Sequence, residues 1–196
     1  MITVTELDTE FLQLRPFGPE DIDYIIGVHE ASAETVFDDV DQFKTTEDFR
    51  AYILSLMTNN ATGWVVRHDA TETPLGVLYF VDILPGVTAN FHPVIDRQAL
   101  KDIEPKDALG QRLRVMDQAM RVAVPYMVER FSLQRVGGAF GAYNVPALRL
   151  CDRLGFRREG VIRHGVRIKD TPADLIVYGL IAQEIAAWTA PASVPA

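Results

Sequence analysis

Between Leu133 and Gly160 the chain sets out a strand, a helix and a second strand with a stop at every joint, and no other stretch restricts the fold as much. Leu133 to Phe140 reads as a buried strand. Gly137, Gly138 and Gly141 thin its side chains out. Glycines there mark either a bulge or a place where a neighbour or ligand comes close to bare backbone. Asn144 stands where the next helix needs a side-chain cap, and Gly155 supplies its left-handed stop, with Phe156 packing behind it. A strand that enters a bounded helix and returns as a strand belongs to a sheet with helices on its faces.

The rest of the chain supplies that sheet. Phe11 to Arg15 alternates as a half-buried strand, and Pro19 with Glu20, Asp21 and Asp23 opens a helix over 19–32, with Ile22, Ile25, Ile26 and His29 at helical spacing. A second helix starts at Thr45 or Thr46, with Phe49, Tyr52, Ile53, Leu56 and Met57 as its apolar stripe. Gly63–Arg67, Leu75–Ile83 and Val87–His92 read as an antiparallel meander, the last two joined at Pro85-Gly86. A charged connection from Asp96 to Asp107 leads to a long helix over 108–131, which Pro125 should kink or shorten by its last turn. Strands at 156–163 and 174–181, joined around His164-Gly165, and a short helix close the pattern. The expected class is α+β, also describable as mixed α/β: one domain over 1–190, with 191–196 a frayed tail.

Charge is divided unevenly. Residues 1–96 carry 4 Lys/Arg against 17 Asp/Glu, whereas residues 97–169 carry 15 against 7. The basic stretch is suited to an anion and the acidic one to a cation, or both are simply solvated. The net charge of −8 argues against a nucleic-acid partner. No apolar run approaches a membrane span and the start lacks a secretory pattern, so a cytoplasmic location is expected. The single cysteine, Cys151, leaves no intramolecular disulfide, and His29, His68, His92 and His164 have no paired metal-ligand spacing, so no metal is expected.

The run from Leu133 to Gly160, with Asn144, Ala147, Leu150, Leu154-Gly155-Phe156 and Glu159-Gly160, resembles the GCN5-related N-acetyltransferases (GNAT), in the branch of ribosomal-protein and aminoglycoside N-acetyltransferases. Leu12 to Pro16 with Asp21, and Asp174, Tyr178 to Leu180 and Glu184, resemble the same branch, and the element order agrees over nearly the whole chain. The resemblance implies a mixed, mostly antiparallel sheet of six to seven strands, splayed between the fourth and fifth. It also implies acetyl-CoA as cosubstrate, its pantetheine arm lying against strand edges in the gap beside Asn144. The family's phosphate loop is best matched at Pro105 to Gly110, so Lys106, Ala108, Leu109, Gly110, Gln111 and Arg112 are the expected cradle, with Arg149 adding charge. Pro105 and Asp107 depart from the family's loop.

The chemistry implied is acetyl transfer to an amine, which needs a base and an acid for the leaving thiolate. His92 is the first candidate base and Asp82 the second. Cys151 occupies the position where relatives place a tyrosine acid, and is either that acid or a small hydrophobe; Tyr143 and Tyr178 are alternative donors. The acids between 20 and 48, with Asp38, Asp39 and Asp41 over the mouth, point to a cationic acceptor: an aminoglycoside, a polyamine or a basic peptide N-terminus. The alternative is an acetyltransferase-fold protein that binds a ligand or partner without catalysis, and a homodimer stays open.

Overall fold

The structure is a computed structural model that describes residues 2–32, 45–58, 61–103, 114–168 and 171–189. Its strands are β1 (Leu7–Asp8), β2 (Leu12–Pro16), β3 (Thr62–His68), β4 (Pro74–Leu84), β5 (Thr88–Ile95), β6 (Arg135–Gly141), β7 (Arg157–Ile168) and β8 (Thr171–Ile181). Its α-helices are α1 (Ile22–Ser32), α2 (Thr46–Thr58), α3 (Arg97–Ile103), α4 (Val115–Phe131), α5 (Val145–Leu154) and α6 (Ala182–Thr189). The strands form one sheet in the order β1-β2-β3-β4-β5-β6-β8-β7, antiparallel everywhere except between β5 and β6. The expected class holds. The eighth strand is β1, two residues long and too short to leave a periodic signature.

Alternation along the strands divides the core in two. On one face Leu14, Trp64, Phe80, Phe91 and Val136 pack with Met120 and Met127 of α4, Leu150 of α5 and Ile185 of α6. On the other, Val65, Val77, Tyr79 and Val94 pack with Ile22, Ile25 and Ile26 of α1 and with Phe49 and Ile53 of α2. Asp21, counted above among acids available to an acceptor, is buried: it pairs with Arg15 and accepts the Gly18 N–H at 2.8 Å. Asp23 pairs with Arg50, tying α1 to α2.

Three sequence expectations are corrected. The connection after Asp96 contains α3, whose first amides Gln98 N and Ala99 N donate to Asp96 Oδ1 at 3.1 and 2.9 Å; a side-chain cap made the helix and the charge pattern hid it. Pro125 lies inside one continuous α4 and does not split off its last turn. His164-Gly165 is a register shift within the β7–β8 ladder, not the turn between the strands, since both strands continue to Ile168 and Thr171. Both residues signal a break in the ladder, and here the break is a bulge, with His164 at φ 52°. Of the long helix expected over 108–131, Val115–Phe131 is helical, and 108–113 lie outside the described residues.

Candidate active site

The two parallel strands separate. β5 and β6 pair through Thr88↔Arg135, Ala89↔Val136 and Asn90↔Gly137, and the pairing ends there. β5 continues to Ile95 along β4, and β6 continues to Gly141 along β8, so each arm keeps its outer neighbour while the inner edges diverge. This is the gap expected between the fourth and fifth sequence-predicted strands.

The closed end is tied by charge. Arg135 donates to both carboxylate oxygens of Glu159, as close as 2.6 Å, to the Tyr178 carbonyl at 3.1 Å and to Thr88 Oγ1 at 3.4 Å. One guanidinium thus links β5, β6, β7 and β8. The ion pair lies over Gly137 and Gly179, where a Cβ would collide with Arg135 and Glu159 respectively. The open end is wedged by rings. Phe140 folds back over Gly138 to meet Phe91 at 5.5 Å between centroids, and Phe91 also meets Phe156 at 4.9 Å. A Cβ on Gly138 would sit 2.9 Å from Phe140 and 3.3 Å from Phe91.

His92 is the second β5 residue past the last shared rung, half-buried, on the α1 side of the sheet. Its ring stacks on Tyr79 of β4, 5.1 Å between centroids and 6° between planes. The stack depends on a bulge. Leu84 pairs with Thr88, but Val81 pairs with Asn90, so one extra residue on β4 shifts the register and brings Tyr79, in place of Phe80, opposite His92. Asp82 is in that bulge, at φ 50°, exposed, and accepts from Asn90 Nδ2 at 3.1 Å. It therefore stands at the closed end beside the last rung, and His92 stands at the opening.

Behind Tyr79 lies His29 of α1, with no exposure. Its Nδ1 is 2.7 Å from the Ile25 carbonyl, which can only accept, so Nδ1 carries the proton. Nε2 then presents a lone pair, and the Tyr79 hydroxyl donates to it at 3.1 Å. Burial, with a smaller contribution from His92, lowers the His29 pKa to about 4, so the ring is neutral at working pH.

Cys151 is removed from the catalytic set. It is 0% exposed in the core, and burial pushes its thiol up to about 12, too weak an acid to protonate a leaving thiolate near neutrality. Tyr178 is also buried and committed, donating to Asp152 at 3.0 Å. Tyr143 differs: its hydroxyl is buried without a hydrogen-bond partner among the described residues, in the turn that follows the β6 arm.

Asn144 caps α5, accepting from Ala147 N at 3.2 Å, and sits 3% exposed just beyond the same arm. Arg149 is exposed on α5. Arg153, one turn on, is spent on Asp117 of α4 at 2.6 and 2.8 Å, and Arg157 on Glu184 at 2.5 Å. The expected cradle residues Lys106, Ala108, Leu109, Gly110, Gln111 and Arg112, and the acceptor residues Asp38, Asp39 and Asp41, lie outside the described residues. Among the described residues no group of side chains could hold a metal, and no helix is long and apolar enough to cross a membrane. The residues that sequence reasoning missed are Tyr79 and the use of His29; the offset between strands that joins them to His92 is not visible in one strand's alternation.

No family model matches the sequence, and no curated protein matches it significantly. Solved structures match over nearly the whole chain. A ribosomal-protein-S5-alanine acetyltransferase from Vibrio fischeri is 20% identical, with 91% of this chain and 97% of that one covered and a TM-score of 0.69. A spermidine N-acetyltransferase from Vibrio cholerae, in complex with CoA and spermine, is 15% identical over 89% and 98%, with a TM-score of 0.70. A GNAT-family acetyltransferase from Bacillus anthracis is 16% identical over 92% and 100%, with a TM-score of 0.69. The chain has the GNAT fold.

Proposed function

We propose that a chain with this fold and this fork is an N-acetyltransferase that carries an acetyl group from acetyl-CoA to a primary amine of a cationic acceptor, by direct attack in a ternary complex. The parting of β5 and β6 after Asn90↔Gly137 is the observation that carries the reading. It turns the facing edges of Phe91–Ile95 and Gly138–Gly141 toward a gap with no β5–β6 pairing, which fits an extended, amide-bearing arm bound as an added strand. Acetyl-CoA supplies the activated thioester. Asn144 would lie beside the arm, and residues 106–112, which precede α4 in sequence, would with Arg149 hold its phosphates.

In that arrangement His92 takes the proton that the attacking amine must lose. The new C–N bond forms as the C–S bond breaks, and the departing thiolate needs one proton in return. Tyr143 is the donor we assign in place of Cys151, because its buried hydroxyl has no partner to give up among the described residues. The acidic connection between α1 and α2, with Asp38, Asp39 and Asp41, would draw the cationic acceptor. Similarity to a spermidine N-acetyltransferase in complex with spermine and to a ribosomal-protein-S5-alanine acetyltransferase supports amines of this class.

Calorimetry with acetyl-CoA and CoA, followed by thiol release with spermine, an aminoglycoside and a basic peptide, tests the reading. Binding plus amine-dependent thiol release is expected. Asp38→Asn with Asp39→Asn should raise the acceptor KM severalfold and flatten its salt dependence; an unchanged KM sinks the acidic-mouth assignment. The burial of Cys151 where relatives carry a tyrosine favours one second reading, a GNAT-fold protein that binds without catalysis. Acetyl-CoA binding without thiol release from any amine would support that reading, and no binding at all would remove the thioester site.

A further inference from the structure

We propose that Tyr79 and His29 are positioning residues for His92: the Tyr79 ring is the platform that fixes the imidazole at the fork, and His29 fixes that platform. This rests on the reading of the fork as an acyl-transfer site, and adds the part of the chain that keeps its base in place.

The argument starts from freedom of rotation. A histidine on a strand turns about two side-chain bonds, and a base must hold one nitrogen toward the proton it removes. His92 lies where β5 has lost its β6 neighbour, so no paired β6 backbone stands beside it. Tyr79 does so from the β4 side, its ring within 6° of parallel. Tyrosine itself would swing about its own side-chain bonds, but its hydroxyl is anchored 3.1 Å from His29 Nε2. His29 in turn is fixed at both ends, through Nδ1 to Ile25 and by packing against Phe49 of α2 at 5.2 Å. Neutral His29 with its proton on Nδ1 is the one form that donates to the carbonyl and accepts from Tyr79 together. Orientation thus passes from α1 through β4 to β5, and the Asp82 bulge sets the register that lets it do so.

The test uses Tyr79→Phe, which keeps the ring and removes the anchor, and Tyr79→Leu, which removes the platform. Against wild type, Tyr79→Leu is expected to lower kcat at least tenfold and Tyr79→Phe about threefold, with the KM for acetyl-CoA within twofold throughout. The ring protons of His92, followed by NMR, should lose their upfield ring-current shift in Tyr79→Leu and keep part of it in Tyr79→Phe. Equal kcat across the three proteins, or a fall in kcat matched by rising KM, overturns the proposal. Where Tyr79→Leu does not fold, Tyr79→Phe decides: unchanged His92 shifts with unchanged kcat overturn it, and a shift change with lowered kcat supports it. Wild type without amine-dependent thiol release, by contrast, is failure of the acetyltransferase reading, and in that case an unmoved His92 signal in Tyr79→Phe still overturns the positioning pair.

Discussion

Thr88–Asn90 of β5 lies against Arg135–Gly137 of β6, tied across by a guanidinium that reaches four strands. One residue further along the same two strands the pairing is gone, and the contact between them is two phenylalanine rings. Glycine serves both ends. At the closed end Gly137 and Gly179 leave room for a polar clasp on one face of the sheet; at the open end Gly138 leaves room for an aromatic wedge on the other. A parallel pair is thus held together and held apart within a few residues, by side chains on opposite faces. A backbone ladder alone would continue as far as both strands ran. The fork is therefore a property of these side chains as well as of topology.

Substitutions at each end should separate the two devices. Phe91→Ala removes the centre of the wedge, and loss of a fully buried phenylalanine should cost about 3 to 5 kcal/mol in urea unfolding, together with most of the acetyl-CoA affinity. If stability falls and affinity does not, the rings support the core without setting the gap. Acid sharpens the comparison at the open end, where His29 stands behind the base. Above pH 6.5 its ring is neutral folded and unfolded, and pH has no leverage. Between 6.5 and about 4 the unfolded chain takes up a proton that the buried ring refuses, so stability falls by about 3 kcal/mol. Unfolding wild type and His29→Gln at pH 7, 5 and 4 should reveal that slope as the difference between them.

Asn144→Ala removes the cap just beyond the β6 arm and should cost about 1 to 2 kcal/mol, with acetyl-CoA binding weakened further if the same side chain meets the arm. The smallest effect belongs to the clasp. Arg135 and Glu159 are both partly exposed, so solvent screens them, and Arg135→Met should cost about 1 kcal/mol. Its sign should appear locally, as faster hydrogen exchange at the Asn90 and Gly137 amides, with the wedge end unaffected. Equal exchange at both ends would show that the clasp has no local role.

Much of this arrangement is legible in the sequence. Asn144, Gly155 and Phe156 bound α5 as read, with the Phe156 amide donating to the Cys151 carbonyl at 2.9 Å behind the left-handed glycine. Those stops are local chemistry, carried by one residue each. The position of the gap was legible too, through the resemblance and the order of strands. The stack on His92 was not. It arises because a three-residue loop after Leu84 and an extra residue at Asp82 offset each other, and alternation within one strand records neither. Spacing alone leaves Cys151 as either acid or hydrophobe, because it places a thiol on a helix without saying how deep it lies. Helix α3 was missed for the opposite reason, since its charged surface masked Ala99 and Leu100, which pack on the core.

The bulge at Asp82 has a further bearing on what this hairpin tolerates. Its tip, Leu84 to Val87, is exposed, and such loops ordinarily accept lost or gained residues cheaply. Here length is the protected quantity and identity is not. Excising one amino acid near the tip turns β5 over against β4, carrying Phe91 to the α1 side of the sheet and the imidazole to the α4 side. Descendants of this gene should vary freely in the letters of that corner while keeping their number constant.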